Sequence, residues 1–368
     1  MFMKWSPQQD DALKQASRWL NKRDSQVFRL FGFAGTGKTT LAQHLAEGVD
    51  GEVRFAAFTG KAAHVMRQKG CQGAQTIHSL IYRPAKADED EAEDEQPLFT
   101  IRRDAPAGDA ALIIIDECSM VDEDLGRDLL SFGAPVLVLG DPAQLPPVKG
   151  GGFFTEAEPD VMLTEVHRQA ADNPIVRLSM QIREGEVPDF GDHGDAKVIR
   201  KSDLDPQAVM DADQVLVGTN RNRRRYNERM RERLGFDGES PWVGERLVCL
   251  RNNKQKGLLN GGMWTVKARH SKKRGMLRLD LLPEDGGRST RVNVLPEFFT
   301  GEADALPWPK RRRSDEFDYG YALTVHKAQG SQWDEVVLFD ESFAFREHKM
   351  AWLYTGVTRA AERLTVVR

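Results

Sequence analysis

Residues 32–39, GFAGTGKT, limit this chain more tightly than any other stretch. They fit G-x-x-x-x-G-K-[ST], follow a short apolar run and open the segment KTTLAQHLAE. The apolar run reads as a strand and the following segment as a helix, the context in which this pattern forms a phosphate cradle. Glycines let backbone N–H groups point at phosphate oxygens, at the positive end of the helix. Gly32, Gly35, Thr36, Gly37, Lys38, Thr39 and Thr40 form the expected cradle. Lys38 is expected to reach the β- and γ-phosphates of ATP, and Thr39 to ligate Mg²⁺.

Such a metal needs a carboxylate at the end of a neighbouring buried strand. The run ALIIIDECSM ends in Asp116-Glu117. Asp116 fits the second Mg²⁺ ligand, and Glu117, one residue on, is placed to polarise an attacking water. Further continuous apolar runs predict strands buried on both faces, as in parallel sheets. They are QVFRLFGF, EVRFAAF, ALIIIDE and APVLVLGD in the first half, then DQVLVGTN, EVVLFD and RLTVVR in the second. Two α/β layers are predicted, joined near residue 150.

Each layer is interrupted once. Residues 86–97, KADEDEAEDEQP, are an acidic low-complexity run, expected as a surface loop. Residues 244–287 change texture to short alternating strands with Asn-Gly and Gly-Gly turns, which suggests a small β-barrel-like insert. Composition closes off other classes. At 368 residues, with 40% hydrophobic and 29% charged content, the chain is long enough for two domains. No apolar stretch is long enough to span a bilayer, and the first residues lack a secretory pattern. Three cysteines without ligand spacing argue against zinc and for a reducing, cytoplasmic setting. The net charge of −4 counts against a nucleic-acid ligand, but local patches outweigh the total.

Further segments follow in a telling order: VLVLGDPAQLPPV (136–148), LTEVHRQ (163–169), YALTVHKAQGSQWDEV (321–336) and YTGVTRA (354–360). Together with the cradle and the Asp-Glu pair, they resemble the motif series of superfamily 1 helicases. The resemblance is to the RecD-like and Dda-like branch, whose members travel 5′ to 3′ on DNA, and it covers the whole chain. It implies two RecA-like domains, 1–155 and 156–368. A small hairpin insert is implied at about 83–108, and an SH3-like β insert at about 241–315. Arg168 and Arg359 match the positions that supply cations to the γ-phosphate from the second domain. Gln144 matches the γ-phosphate sensor, and Gln9, or its neighbour Gln8, the adenine-reading glutamine. Asp141 either helps hold the metal's water shell or caps its turn. Gln332 stands where 3′ to 5′ relatives often carry a glutamate near the ribose.

The same resemblance implies a strand track across both domains. Thr59, Lys61, Thr76 and His78 are its first-domain candidates, and Thr324, His326 and Lys327 its second-domain candidates. Such residues suit phosphate contacts that carry no sequence information. The basic segment RNRRRYNERMRER (221–233) is either a phosphate contact or a solvated helix face. Phe99 either forms a wedge tip at the duplex junction or packs in the core. The acidic run 88–95 either points away from the duplex or meets a basic protein partner. The expectation is a monomeric, ATP-dependent DNA helicase of replication or repair, acting on single strands and duplex junctions. The alternatives are an RNA helicase of the same superfamily and a remodelling ATPase that translocates without unwinding.

Overall fold

The computed structural model describes residues 5–84, 99–147, 151–165 and 173–368. Eight strands lie in its first part: β1 (Val27–Gly32), β2 (Val53–Ala57), β3 (Gln75–Thr76), β4 (Tyr82–Pro84), β5 (Phe99–Ile101), β6 (Leu112–Asp116), β7 (Val136–Gly140) and β8 (Val161–Leu163). Six of them form a parallel sheet in the order β3-β2-β6-β7-β1-β8. Alternate side chains of its central strands feed two cores. Leu112, Ile114, Leu137 and Leu139 pack with Trp19, Ala16 and Leu41 of the helices Pro7–Lys22 and Lys38–Glu47. Ile113, Ile115, Val136 and Val138 pack on the other face with Ile77, Leu80, Leu125 and Leu129. Each such aliphatic side chain contributes about 1.5–3 kcal/mol by leaving water.

The first sheet extends past the division expected at residue 155. Leu30 pairs with Val161 and Gly32 with Leu163, so β8 completes the first domain as its edge strand. A three-residue edge strand following the loop GGFFTEAEPD has too few apolar residues to register as a buried run. Tyr82–Pro84 and Phe99–Ile101 pair antiparallel as a two-stranded hairpin. The acidic run 88–95 that it would carry lies outside the described residues, as do Arg168 and the side chain of Phe99.

The second part holds β9 (Gly191–Asp192), β10 (Ala196–Ile199), β11 (Gln214–Val217), β12 (Arg246–Cys249), β13 (Met263–Lys273), β14 (Met276–Pro283), β15 (Thr290–Val294), β16 (Phe317–Tyr319), β17 (Ala322–Thr324), β18 (Trp333–Phe339) and β19 (Ala360–Val367). Its main sheet runs β17-β11-β18-β19-β10-β9 and is parallel except for the pair β9–β10. Residues 246–319 supply a separate five-stranded antiparallel sheet, β15-β14-β13-β12-β16. Its turn at Arg274-Gly275 takes positive φ at both residues, the twist a tight hairpin needs. Leu247, Val266, Leu277, Leu279 and Val292 of this insert share one core with Val215, Val217 and Val337 of the main sheet. The insert is therefore fastened to the second domain by a common apolar core. No described helix is long and apolar enough to cross a membrane.

Candidate nucleotide cleft and strand track

The cradle forms where β1 turns into the helix Lys38–Glu47. Gly35 and Gly37 sit at φ of 79° and 80°, which a side chain would strain. Thr36 is buried, its hydroxyl donating to Phe33 O at 2.8 Å. Gln9 donates to Thr36 O at 3.1 Å and accepts from Ser6 N at 3.0 Å. Gln8 instead ties the first helix to residues 162–165, bonding Met162 O, Thr164 and Glu165 N. Of the two glutamines, Gln9 is the one that touches the cradle.

Lys38 Nζ donates to the carbonyls of Gly32 at 2.6 Å and Phe33 at 3.0 Å. Thr39 Oγ1 donates to Asp116 Oδ2 at 2.9 Å, and Asp116 Oδ1 accepts from Glu117 N at 2.9 Å. The next residue is held in an uncommon backbone state: Glu117 sits at φ 54°, in the left-handed region. For a non-glycine residue this conformation persists only where the surroundings enforce it, and such residues cluster at functional sites. It ends the strand abruptly and brings the carboxyl group to the cleft floor. Burial raises the Glu117 pKa, Arg359 opposes that rise, Asp116 adds to it, Lys38 opposes it and Asp141 adds to it, leaving a net upward shift.

One cleft of about 350 Å³ gathers residues of both domains. From the first come Gly35, Gly37, Lys38, Thr39, Thr40, Lys69, Asp116, Glu117 and Gln144. From the second come Gly330, Ser331, Gln332, Thr358 and Arg359. Arg359 is buried, and its guanidinium donates to Thr355 O, Ser331 O and Thr358 Oγ1 at 3.0–3.1 Å. Among the described residues, no carboxylate forms a salt bridge with Arg359 or Lys38. Both cations rest on neutral oxygens, an arrangement that leaves their charge for an anion. Among the described residues Gln144 Oε1 is buried without a partner, an orphaned acceptor in the same cleft. These groups fit a nucleotide triphosphate. The paired hydroxyl and carboxylate of Thr39 and Asp116 are the hard oxygen donors that suit Mg²⁺.

Asp141 takes part in a contact between the domains. Its Oδ2 accepts from the hydroxyl of Tyr354 at 2.5 Å, and its Oδ1 accepts from Ala143 N at 3.1 Å. The same junction joins Leu145 N to Thr355 Oγ1 at 2.9 Å and Gln329 Nε2 to Leu145 O at 3.0 Å. The Arg183 guanidinium lies 3.5 Å from the centre of the Phe33 ring, over the cradle. Tyr354, Gln329, Arg183 and Lys69 were not singled out in the sequence. Tyr354 lies inside YTGVTRA, but its partner is 213 residues away and no local pattern marks the pair.

Three track candidates share one geometry. Thr59, Thr76 and Thr324 each cap the helix that follows a strand, accepting from Ala62 N, Ser79 N and Lys327 N respectively. A threonine at this position sets its hydroxyl beside a helix N-terminus, where anions are favoured. His78 and His326 are half-buried, each beside aromatic rings: Phe58 and Tyr82 for the first, Phe345 for the second. Burial lowers both imidazole pKa values, so the rings are neutral at pH 7 and suited to stacking or hydrogen bonding. Lys327 is exposed. Lys61, expected on the track, is engaged elsewhere: its Nζ lies 2.8 Å from Asp285 of the insert, with His64 at 3.4 Å from the same carboxylate.

A phosphate loop from one α/β domain facing an arginine from another places the chain among two-domain P-loop NTPases. The AAA domain model matches residues 4–203, more than half of the chain, and the UvrD-like helicase C-terminal domain matches residues 319–367. The ATP-dependent RecD2 DNA helicase of Deinococcus radiodurans is 30% identical over 91% of this chain and 46% of its own length. The RecBCD enzyme subunit RecD of Mycobacterium tuberculosis is 25% identical over 92% of the chain and 66% of its length. The Bacteroides Pif1 structure bound to single-stranded DNA has a TM-score of 0.61 at 20% identity, covering 99% of this chain and 92% of that one. The chain belongs to the AAA-domain family of P-loop NTPases, and RecD-like helicases are among the proteins it is similar to. It spans less than half the length of the first curated relatives it matches.

Proposed function

We propose that this chain is the motor of an ATP-dependent DNA helicase. In this reading it moves 5′ to 3′ along single-stranded DNA and unwinds duplex as hydrolysis opens and closes the two domains. The observation that carries the proposal is the shared cleft: Lys38, Asp116, Glu117 and Gln144 on one side, Arg359 on the other. A cleft built from two domains senses the γ-phosphate with both, so loss of that phosphate changes how they fit.

The chemistry follows from the residues. Glu117 accepts a proton from water as the water oxygen bonds the γ-phosphorus. The bond from that phosphorus to the β–γ bridging oxygen breaks, leaving ADP and phosphate. Lys38 and Arg359 stabilise charge on the transferring group, with Arg168 proposed as a second cation from the other domain. Thr39 and Asp116 would hold Mg²⁺, which would supply positive charge against the polyphosphate. The raised Glu117 pKa brings this base nearer the operating pH, which favours proton transfer. Gln144 orients the water, and Gln9 reads the adenine. Thr59, Thr76, His78, Thr324, His326 and Lys327 hold the strand, and Lys61 joins them when released from Asp285. The insert is taken as SH3-like and the Tyr82–Ile101 hairpin as the wedge. DNA as substrate is supported by the names of the relatives and by a neighbour bound to single-stranded DNA.

The test is strand displacement from duplexes with a 5′ or a 3′ single-stranded tail, using DNA and RNA tails in parallel. The reading expects ATP-dependent displacement from the 5′-tailed DNA substrate only. Preference for a 3′ tail contradicts the direction, and preference for RNA contradicts the substrate. ATP turnover without displacement favours translocation without unwinding.

A further inference from the structure

The basic helix Asn220–Arg233 divides its arginines between two faces. Its buried stripe is polar but satisfied: Arg223 pairs with Asp318 at 2.5 Å, Asn227 bonds the Ala322 backbone, and Arg231 pairs with Glu245. Arg225 and Arg229, four residues apart, point the other way and are exposed. With Lys201 and Tyr226 they line a pocket of about 280 Å³, beyond the C-terminal ends of β18 and β19. No salt-bridge partner for Arg225, Arg229 or Lys201 is found among the described residues. The pocket's carboxylates are already engaged. Asp340 pairs with Arg368 at 3.2 Å, and Glu341 accepts from Gly218 N, Thr219 N and Asn222 Nδ2.

Beside these cations stands Phe343, 76% exposed, the most exposed of the described large hydrophobic residues. It belongs to the 3₁₀ segment Ser342–His348, and the same segment reaches back to the candidate track. Phe345, two residues along, lies 5.3 Å from the His326 ring and stacks on Trp352 at 5.4 Å. One short segment thus connects His326 to an outward aromatic ring among unpaired cations.

We propose that this pocket extends the strand track of the second domain, with one base stacked on Phe343 and adjacent phosphates held by Arg225, Arg229 and Lys201. The inference rests on the strand-binding reading above. A protruding ring that accepts any base, flanked by backbone-tracking cations, is the combination by which single strands are held without sequence preference. A buried polar pocket for one small anion would not place its aromatic ring in solvent.

The test is fluorescence anisotropy of labelled oligothymidylates of increasing length, without nucleotide, at several salt concentrations. Parent protein is compared with Phe343→Ala, Phe343→Tyr and the double variant Arg225→Gln/Arg229→Gln. The substituted side chains are exposed, and unchanged basal ATP turnover confirms an intact cleft. For oligomers long enough to reach the pocket, Phe343→Ala should weaken binding about tenfold, and Phe343→Tyr should restore it. The shortest oligomers that bind should not distinguish the variants. The double variant should flatten the salt dependence by about 1.4 in log–log slope, about 0.7 for each lost phosphate contact. Equal affinities at every length overturn the proposal, as does an equal loss at every length. Failure of the parent to bind any oligomer overturns both this proposal and the strand-binding reading beneath it.

Discussion

Arg359 and Glu117 meet across the cleft, and each is held in a way that its sequence motif alone does not reveal. Among the described residues Arg359 donates to carbonyl and hydroxyl oxygens and forms no salt bridge, which leaves its charge for an anion. Arg359→Ala should lower kcat by about 10³-fold or more, the scale of a lost arginine finger, while single-strand affinity stays within twofold of the parent, about 0.4 kcal/mol. Normal turnover with lost DNA binding would assign Arg359 to the track instead. Glu117→Gln should abolish turnover and keep ATP binding. It should also stabilise the nucleotide-free fold. The folded pKa of Glu117 lies above its unfolded value. The penalty from ionising it is therefore absent at acid pH, grows as pH rises between the two values, and is complete above the folded one. Thermal unfolding should show the Gln variant gaining over the parent from acid to neutral pH. A neutral-pH Tm below that of the parent would contradict this.

Elements were legible where burial wrote long apolar runs and hidden where short edges did the pairing. The strands β6, β7 and β11 read as continuous Val/Ile/Leu segments because both faces are covered, and β1, β2, β18 and β19 carry shorter apolar runs interrupted by polar residues. The two- and three-residue strands β3, β8 and β9 carry too few side chains for any periodicity. Motif spacing pointed to the cradle, Asp116 and Glu117, and the family resemblance to Arg359, all of which line one cleft. It could not reveal the Asp141–Tyr354 bond or the Lys61–Asp285 pair, because both join segments distant in the chain. Arginine-rich character likewise hid the fact that Arg223 and Arg231 are buried ion-pair members. Arg231 and Glu245 are bonded at 2.6 and 3.1 Å, with Glu245 fully buried. Glu245→Ala should cost about 3–5 kcal/mol, because it strands a buried guanidinium. Denaturant unfolding measures this, and a loss below about 1 kcal/mol would show that water or another group compensates. The half-exposed Lys61–Asp285 pair is worth less. Asp285→Asn should free Lys61 and strengthen single-strand binding, by about fivefold at most. Weakened binding would show that the pair shapes the track and does not compete with it.

Across the whole molecule, two largely parallel sheets meet at one candidate nucleotide cleft, and the antiparallel insert shares its core with the second. All three thiols are buried in this framework. Burial pushes the Cys71 thiol up to about 11 and the Cys249 thiol up to about 12, and raises that of Cys118 further. Alkylation at neutral pH should therefore be slow in the native protein and complete for all three in denaturant. Fast native labelling of any one would reveal local opening there. In the proposed function the cleft works as one device with the strand track, so that ATP is hydrolysed when DNA is held. Steady-state ATP turnover of the purified chain, with and without saturating single-stranded DNA, tests it most directly. Basal turnover should be slow and rise at least about tenfold on adding single strands, a change of about 1.4 kcal/mol or more in barrier height. Turnover that is the same with and without DNA would contradict it.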